Sequence, residues 1–129
     1  MTARLKDLAK KVRMTAEYGA RLDYDQRDDW QKTATDWRCT LRYRGRRYSF
    51  DFFQGPAICR EPDVEGCLDC LLSDASAGEQ SFEEFCSEFG YDPDSRKAER
   101  IHKACVKVAQ GLRRMLGDDF ETFVYAERD

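Results

Sequence analysis

The stretch Trp37-Arg38-Cys39-Thr40-Leu41-Arg42-Tyr43-Arg44-Gly45-Arg46-Arg47-Tyr48-Ser49-Phe50-Asp51-Phe52 alternates apolar and polar residues on both sides of a glycine. Side chains of a strand point to opposite faces with a period of two, so each half predicts a half-buried strand. Gly45 supplies the positive φ that a tight turn needs, and the two halves close as a β-hairpin. Trp37, Cys39, Leu41, Tyr43, Tyr48, Phe50 and Phe52 share one face, which belongs in a core. The chain turns around Arg44-Gly45-Arg46, and the opposite face carries Arg38, Arg42, Arg44 and Arg47. It should meet water or a partner.

Upstream, Met14, Ala16 and Tyr18 alternate with Arg13, Thr15 and Glu17, which fits a further strand over about 14–22. Leu5, Leu8, Ala9 and Val12 suit a first helix from about Thr2 to Lys11. Residues 23–29 read as a loop, and Gln54-Gly55-Pro56 ends the second hairpin strand. Downstream the period changes to that of helices. Val64, Leu68, Leu71, Leu72 and Ala75 form one stripe over about Pro62 to Asp74. Ser81 followed by Glu84 is a capping box for a short helix ending at Gly90. Asp92-Pro93-Asp94 is expected to start the longest helix, with Ala98, Ile101, Cys105, Val108, Leu112 and Met115 inward. Gly117 stops it, and Phe120–Tyr125 adds a short turn of helix. The fold class expected is α+β, a small antiparallel sheet of about three strands with a C-terminal helical layer on one face, in a single domain over 1–129.

At 129 residues the chain is long enough for one core. With 41% hydrophobic residues it does not read as disordered, and no run approaches the ~20 apolar residues of a membrane span. The charged N-terminal segment lacks a secretory h-region, so a cytoplasmic location is expected, with Cys39, Cys59, Cys67, Cys70, Cys86 and Cys105 as free thiols.

The net charge of −3 is unevenly spread: residues 1–60 hold 14 Lys and Arg against 8 Asp and Glu, and Glu61 to Ser95 holds 11 acids and no Lys or Arg. The helices there present Asp63, Asp69, Asp74, Glu79, Glu83, Glu84 and Glu88, away from the apolar stripes. Such a surface suits a partner that holds phosphates with Lys and Arg. Arg38, Arg42, Arg44, Arg46 and Arg47, with Phe53 nearby, are the opposite candidate, a face for a nucleic-acid backbone. A basic stripe of Arg96, Arg100, Lys103, Lys107 and Arg114 lies on the back of the long helix.

Cys67-x-x-Cys70 and His102-x-x-Cys105 offer four zinc-type ligands, but Cys67 and Cys70 lie in mid-helix and diverge, so no metal and no cofactor is expected. The acids around that pair oppose a thiolate, which disfavours redox catalysis. His102 reads as an edge-of-core residue. No nucleophile elbow, phosphate loop or dinucleotide fingerprint occurs, and a non-enzymatic protein is expected.

The stretch from Leu71 through Ser81-Phe82-Glu83-Glu84-Phe85 to Glu99, and the hairpin from Trp37 to Phe52-Phe53-Gln54-Gly55-Pro56, resemble segments of small accessory proteins of bacteriophages and prophages. The resemblance covers Met14 to Cys105 and brings no catalytic motif. By analogy of class it implies an inhibitor of host defence, such as an anti-CRISPR protein. That inhibitor would act in the bacterial cytoplasm on a host protein complex that handles nucleic acid, a CRISPR-Cas effector for example. Its acidic helices would then occupy the effector's nucleic-acid channel.

Overall fold

The computed structural model describes residues 2–21, 35–54 and 61–128. The loop expected over 23–29, the strand end at Gly55-Pro56, Cys59 and the Phe53 side chain lie outside the described residues. The elements run α1 (Leu5–Ala9), β1 (Arg13–Arg21), β2 (Thr35–Tyr43), β3 (Arg46–Gln54), α2 (Val64–Gly78), α3 (Phe82–Phe89) and α4 (Arg96–Leu116). A 3-10 turn (Gly117–Asp119) then leads into α5 (Phe120–Val124). The strands form an antiparallel sheet in the order β1-β2-β3, with the helices on one face, as α+β patterning predicts.

The hairpin forms as read, but its turn is one residue tighter than Arg44-Gly45-Arg46, since Arg46 already pairs with Tyr43. Arg44 and Gly45 are its two loop residues, both with positive φ (47° and 79°), which gives a type I′ turn whose twist matches the strands. Cys39, Leu41, Tyr43 and Phe50 are buried on the inner face against α2, α4 and α5. Leu68, Leu72, Leu112 and Met115 fill the space below and are fully buried. Each such side chain contributes about 1.5–3 kcal/mol of hydrophobic stabilisation. A second small core joins Phe85 and Cys86 of α3 to Ala98 and Cys105 of α4.

Three boundaries differ from the sequence reading. The first helix is only Leu5–Ala9. The helix after the hairpin starts at Val64 and runs to Gly78, because Asp63 is the N-cap and Ala75 and Ala77 stay buried past Asp74. The long helix starts at Arg96 and not at Asp92. Ser95 caps it by accepting from the Ala98 N–H at 3.2 Å, while Asp92 closes a turn by accepting from the Asp94 N–H at 2.9 Å. Ser81 caps α3 as expected, accepting from the Glu84 N–H at 3.1 Å, and Gly90 ends that helix with φ 74°.

The two ends of the described chain pair with each other. Arg4 and Glu127 form a parallel bridge: the Leu5 N–H donates to the Glu127 carbonyl at 2.9 Å, and the Glu127 N–H to the Ala3 carbonyl at 2.8 Å.

α2 and α4 cross at Gly78. A Cβ there would fall 2.2 Å from the Cys105 carbonyl oxygen, so only glycine lets the two backbones approach this closely. Gly78→Ala is expected to destabilise the fold by about 1–3 kcal/mol through overpacking. The midpoint of urea unfolding measures this, and an unchanged midpoint would contradict the close approach.

Candidate anion-binding site

The outer face of the sheet is ordered in rows by strand register. One row holds Glu17, Arg38 and Asp51, and another Thr15, Thr40 and Ser49. The row nearest the turn holds Arg13, Arg42 and Arg47, one from each strand. The first row is charge-compensated, with Arg38 Nη1 3.0 Å from Asp51 Oδ1. The second is closed by a Thr40–Ser49 hydroxyl bond of 2.9 Å.

The arginine row has no carboxylate partner among the described residues. Arg42 Nη1 donates only to the Thr15 hydroxyl, at 3.3 Å. Strands lie about 4.8 Å apart, and like charges directly opposite one another destabilise a sheet. Three adjacent guanidinium groups therefore cost stability in the free protein, a cost that an anion would reverse.

The turn adds to this charge. Arg44 holds φ 47°, a conformation that costs an ordinary residue about 1–2 kcal/mol. Its guanidinium lies over the Tyr43 ring, 5.3 Å from the centroid, and 3.2 Å from Asp119 Oδ2. Tyr43 Oη donates to the same oxygen at 2.6 Å. Burial, and then the Asp119 carboxylate, push the Tyr43 hydroxyl pKa up, so it stays a donor. Asp119 thus fixes the turn to the end of the helical layer.

Arg46 departs from the face expected of it. It folds over Gly117, where a Cβ would sit 2.6 Å from Arg46 Nη1. Its charge lies at the carbonyl end of α4, the negative end of the helix dipole. Together Lys11, Arg13, Arg42, Arg44, Arg46 and Arg47 line a cleft of about 570 Å³, with Tyr43 and Gly45. Among the described residues no carboxylate lines it. Guanidinium groups donate in a planar fork that matches phosphate oxygens, so this cleft suits a phosphate-bearing anion.

Of the arginines read from sequence, Arg42, Arg44, Arg46 and Arg47 come together here. Arg38 does not, because Asp51 neutralises it in another row. Arg13 and Lys11 were missed. The alternation of Arg13 with Met14 carries the signal for the outer face, but the register that sets Arg13 opposite Arg42 joins segments 29 residues apart.

The acidic helices are less bare in space than in sequence. The Asp63 side chain caps α2, accepting from the Gly66 N–H at 3.3 Å. Asp69 pairs with Arg128 at 2.7 Å. Glu79 pairs with Arg113, whose Nε lies 2.7 Å away and whose guanidinium also covers the Phe120 ring. Glu88 accepts from the Gln80 amide. Burial pushes the Asp74 carboxyl pKa up. Asp63, Asp74, Glu83, Glu84 and Glu88 are all exposed and have no ion-pair partner among the described residues, and Glu83 and Glu84 have no side-chain hydrogen bond there either. The stretch without cations in sequence therefore acquires them from α4 and the C-terminal segment.

The Cys/His set does not assemble. No group of three or more His, Cys, Asp or Glu is placed to hold a metal ion among the described residues. His102 Nε2 meets the Gln80 carbonyl at 2.9 Å; a carbonyl only accepts, so Nε2 carries the proton. The ring rests between Phe82 and Phe85, at the edge of the core as expected. Cys67 is wholly buried in the core and Cys70 is exposed, so the two diverge as read.

Comparison with protein-family models, with curated proteins and with solved structures finds no match. The site is read from its own residues.

Two outcomes follow from these contacts. Arg42→Thr, which breaks the row, is expected to stabilise the free protein by about 0.2–1 kcal/mol at low salt. The gain should vanish near 1 M salt, where the Debye length falls to about 3 Å. Thermal melting at the two ionic strengths measures it. The second concerns Cys67, whose thiol is pushed by burial, and then by neighbouring Cys39 and Asp63, from 9.0 up to about 12. The unfolded chain loses this proton near 9.0 while the folded chain keeps it. The stabilisation is therefore complete below pH 9.0 and lost as pH rises towards about 12. Urea unfolding between these pH values should show a steeper fall for the native chain than for Cys67→Ala.

Proposed function

We propose that this chain is a non-enzymatic protein that binds the phosphate backbone of nucleic acid through the hairpin end of its sheet. The observation that carries this reading is the row Arg13, Arg42 and Arg47, three cations set side by side without a carboxylate. Nothing in the packing of the fold requires these charges, since all three are exposed on the solvent face. A polyanion turns their mutual repulsion into attraction and releases its own counterions.

The overall charge does not oppose this. The acids of α2 and α3 lie on the helical side, where α2 packs against the inner face and α3 against α4, while the arginine row is on the outer face. Such separation of charge orients the molecule in the field of a polyanion, cationic end first.

The alternative is an inhibitor that blocks a host complex, of the CRISPR-Cas type, through Asp63, Asp69, Asp74, Glu79, Glu83, Glu84 and Glu88. It draws less support, because four of those seven side chains are already engaged within the fold.

The test is binding of a fluorescein-labelled 20-base-pair DNA duplex, followed by anisotropy across a salt series. The native chain is expected to bind with a steep negative slope of log K against log salt. Arg42→Gln with Arg47→Gln is expected to flatten that slope by about 2, at roughly 0.9 per phosphate contact. Glu79→Gln with Glu83→Gln and Glu84→Gln should bind at least as well as the native chain. Absence of binding by the native chain at low salt would overturn the reading.

A further inference from the structure

The long helix carries charge that the fold does not use. Arg96, Arg100, Lys103, Lys107 and Arg114 are all exposed, and only Lys103 has an ion-pair partner among the described residues, Glu99 at 3.1 Å. Their direction follows from one contact. Gly111 faces β3 so closely that a Cβ there would fall 2.2 Å from Tyr48 Cε1. With 3.6 residues per turn, Arg100, Lys107, Arg114 and Arg96 lie within about 60° of Gly111, all on one side of it. The opposite flank, with Ala98, Cys105, Ala109 and Leu112, is buried. The cationic flank therefore runs beside β3 and away from α2. Burial, and then the Asp74 carboxylate, push the Tyr48 hydroxyl pKa up, and Arg114 opposes them.

β3 is an edge strand of the sheet, with β2 on one side and no strand on the other among the described residues. The next inner-face side chain along it is Arg46, over Gly117 at the end of α4, and the adjacent outer-face one is Arg47. The cations thus form one track. It follows α4 from Arg96 to Arg114, about 27 Å at 1.5 Å per residue. It then passes Arg46, rounds the β3 edge and ends on the arginine row.

We propose that the nucleic acid bound by this protein is double-helical, and that its backbone is held along α4 as well as at the hairpin. This rests on the reading of the hairpin end as a phosphate site. Two observations select a duplex over a single strand. The track is as long as about eight base pairs at 3.4 Å each, and it carries charge on two sides of an edge, as phosphates line two sides of a groove. Binding of single strands, in contrast, depends on aromatic rings that stack bases beside the cations. The large apolar side chains exposed among the described residues are Tyr18, Phe89 and Tyr125. None is on α4 or lines the hairpin cleft. Contacts of this kind position a protein without reading base sequence.

The experiment uses the full chain, the 20-base-pair duplex and a single strand of equal length. Arg100→Gln, Lys107→Gln and Arg114→Gln are combined, since glutamine is a good helix former at exposed positions. Circular dichroism checks that helix content is kept. The combined variant is expected to bind the duplex with its salt slope flattened by about 3, and to keep the binding that depends on the hairpin. The native chain should bind the duplex at least tenfold more tightly than the single strand. An unchanged slope for the α4 variant would overturn the track while leaving the hairpin site in place. Equal or tighter binding of the single strand would overturn the duplex assignment. Failure of the native chain to bind either probe would remove the hairpin reading itself.

Discussion

Asp119 accepts from the Tyr43 hydroxyl and pairs with the Arg44 guanidinium through one oxygen. This carboxylate follows the last turn of α4, 76 residues along the chain from Tyr43, and it closes the helical layer on the tip of the hairpin. The turn needs such an anchor. Arg44 stands in a left-handed conformation that glycine or asparagine would adopt at lower cost, so the surroundings must hold it there. With Tyr43 edge-on to Phe123 below and Asp119 beside it, the turn is tied to the core rather than projecting from it. That attachment sets where the turn holds Arg44, while strand register places Arg13, Arg42 and Arg47 beside it.

The same constraint separates structural charge from available charge. Arg44 is committed to Asp119, Arg38 to Asp51, Arg113 to Glu79 and Arg128 to Asp69. Surface pairs of this sort contribute little stability each, about 0–1 kcal/mol, but they cancel charge locally. What remains uncancelled is concentrated on one end of the sheet and one flank of α4. A chain with a net charge of −3 therefore presents a strongly cationic side.

Local periodicity made much of the fold legible. The alternation from Trp37 to Phe52 gave the hairpin, its inner and outer faces and its glycine turn. The spacing of Ala98, Cys105, Leu112 and Met115 gave α4. Reading stopped where a contact joins distant segments. Ser76, Ala77 and Gly78 fall outside the helix read from sequence because small residues carry a weak periodic signal. They are helical because Ala77 packs inward and Gly78 admits the backbone of α4. The candidate site was half legible for the same reason. Its arginines are evident in the chain, but the register that adds Arg13 is not. Nor is the pairing that removes Arg38, Asp69 and Glu79 from the free charge.

The bridge between Arg4 and Glu127 has a mechanical meaning. Two hydrogen bonds join the ends of the described chain side by side and parallel, so the chain before Arg4 and the chain after Glu127 leave the bridge in opposite directions. Tension applied between them would load both bonds together, in shear, and not one after the other. α1 and the segment after α5 would stay in place until both bonds gave way at once. The clasp of Asp119 on the hairpin tip lies further in. The bridge thus fastens the two ends of the described chain against a pull along the chain.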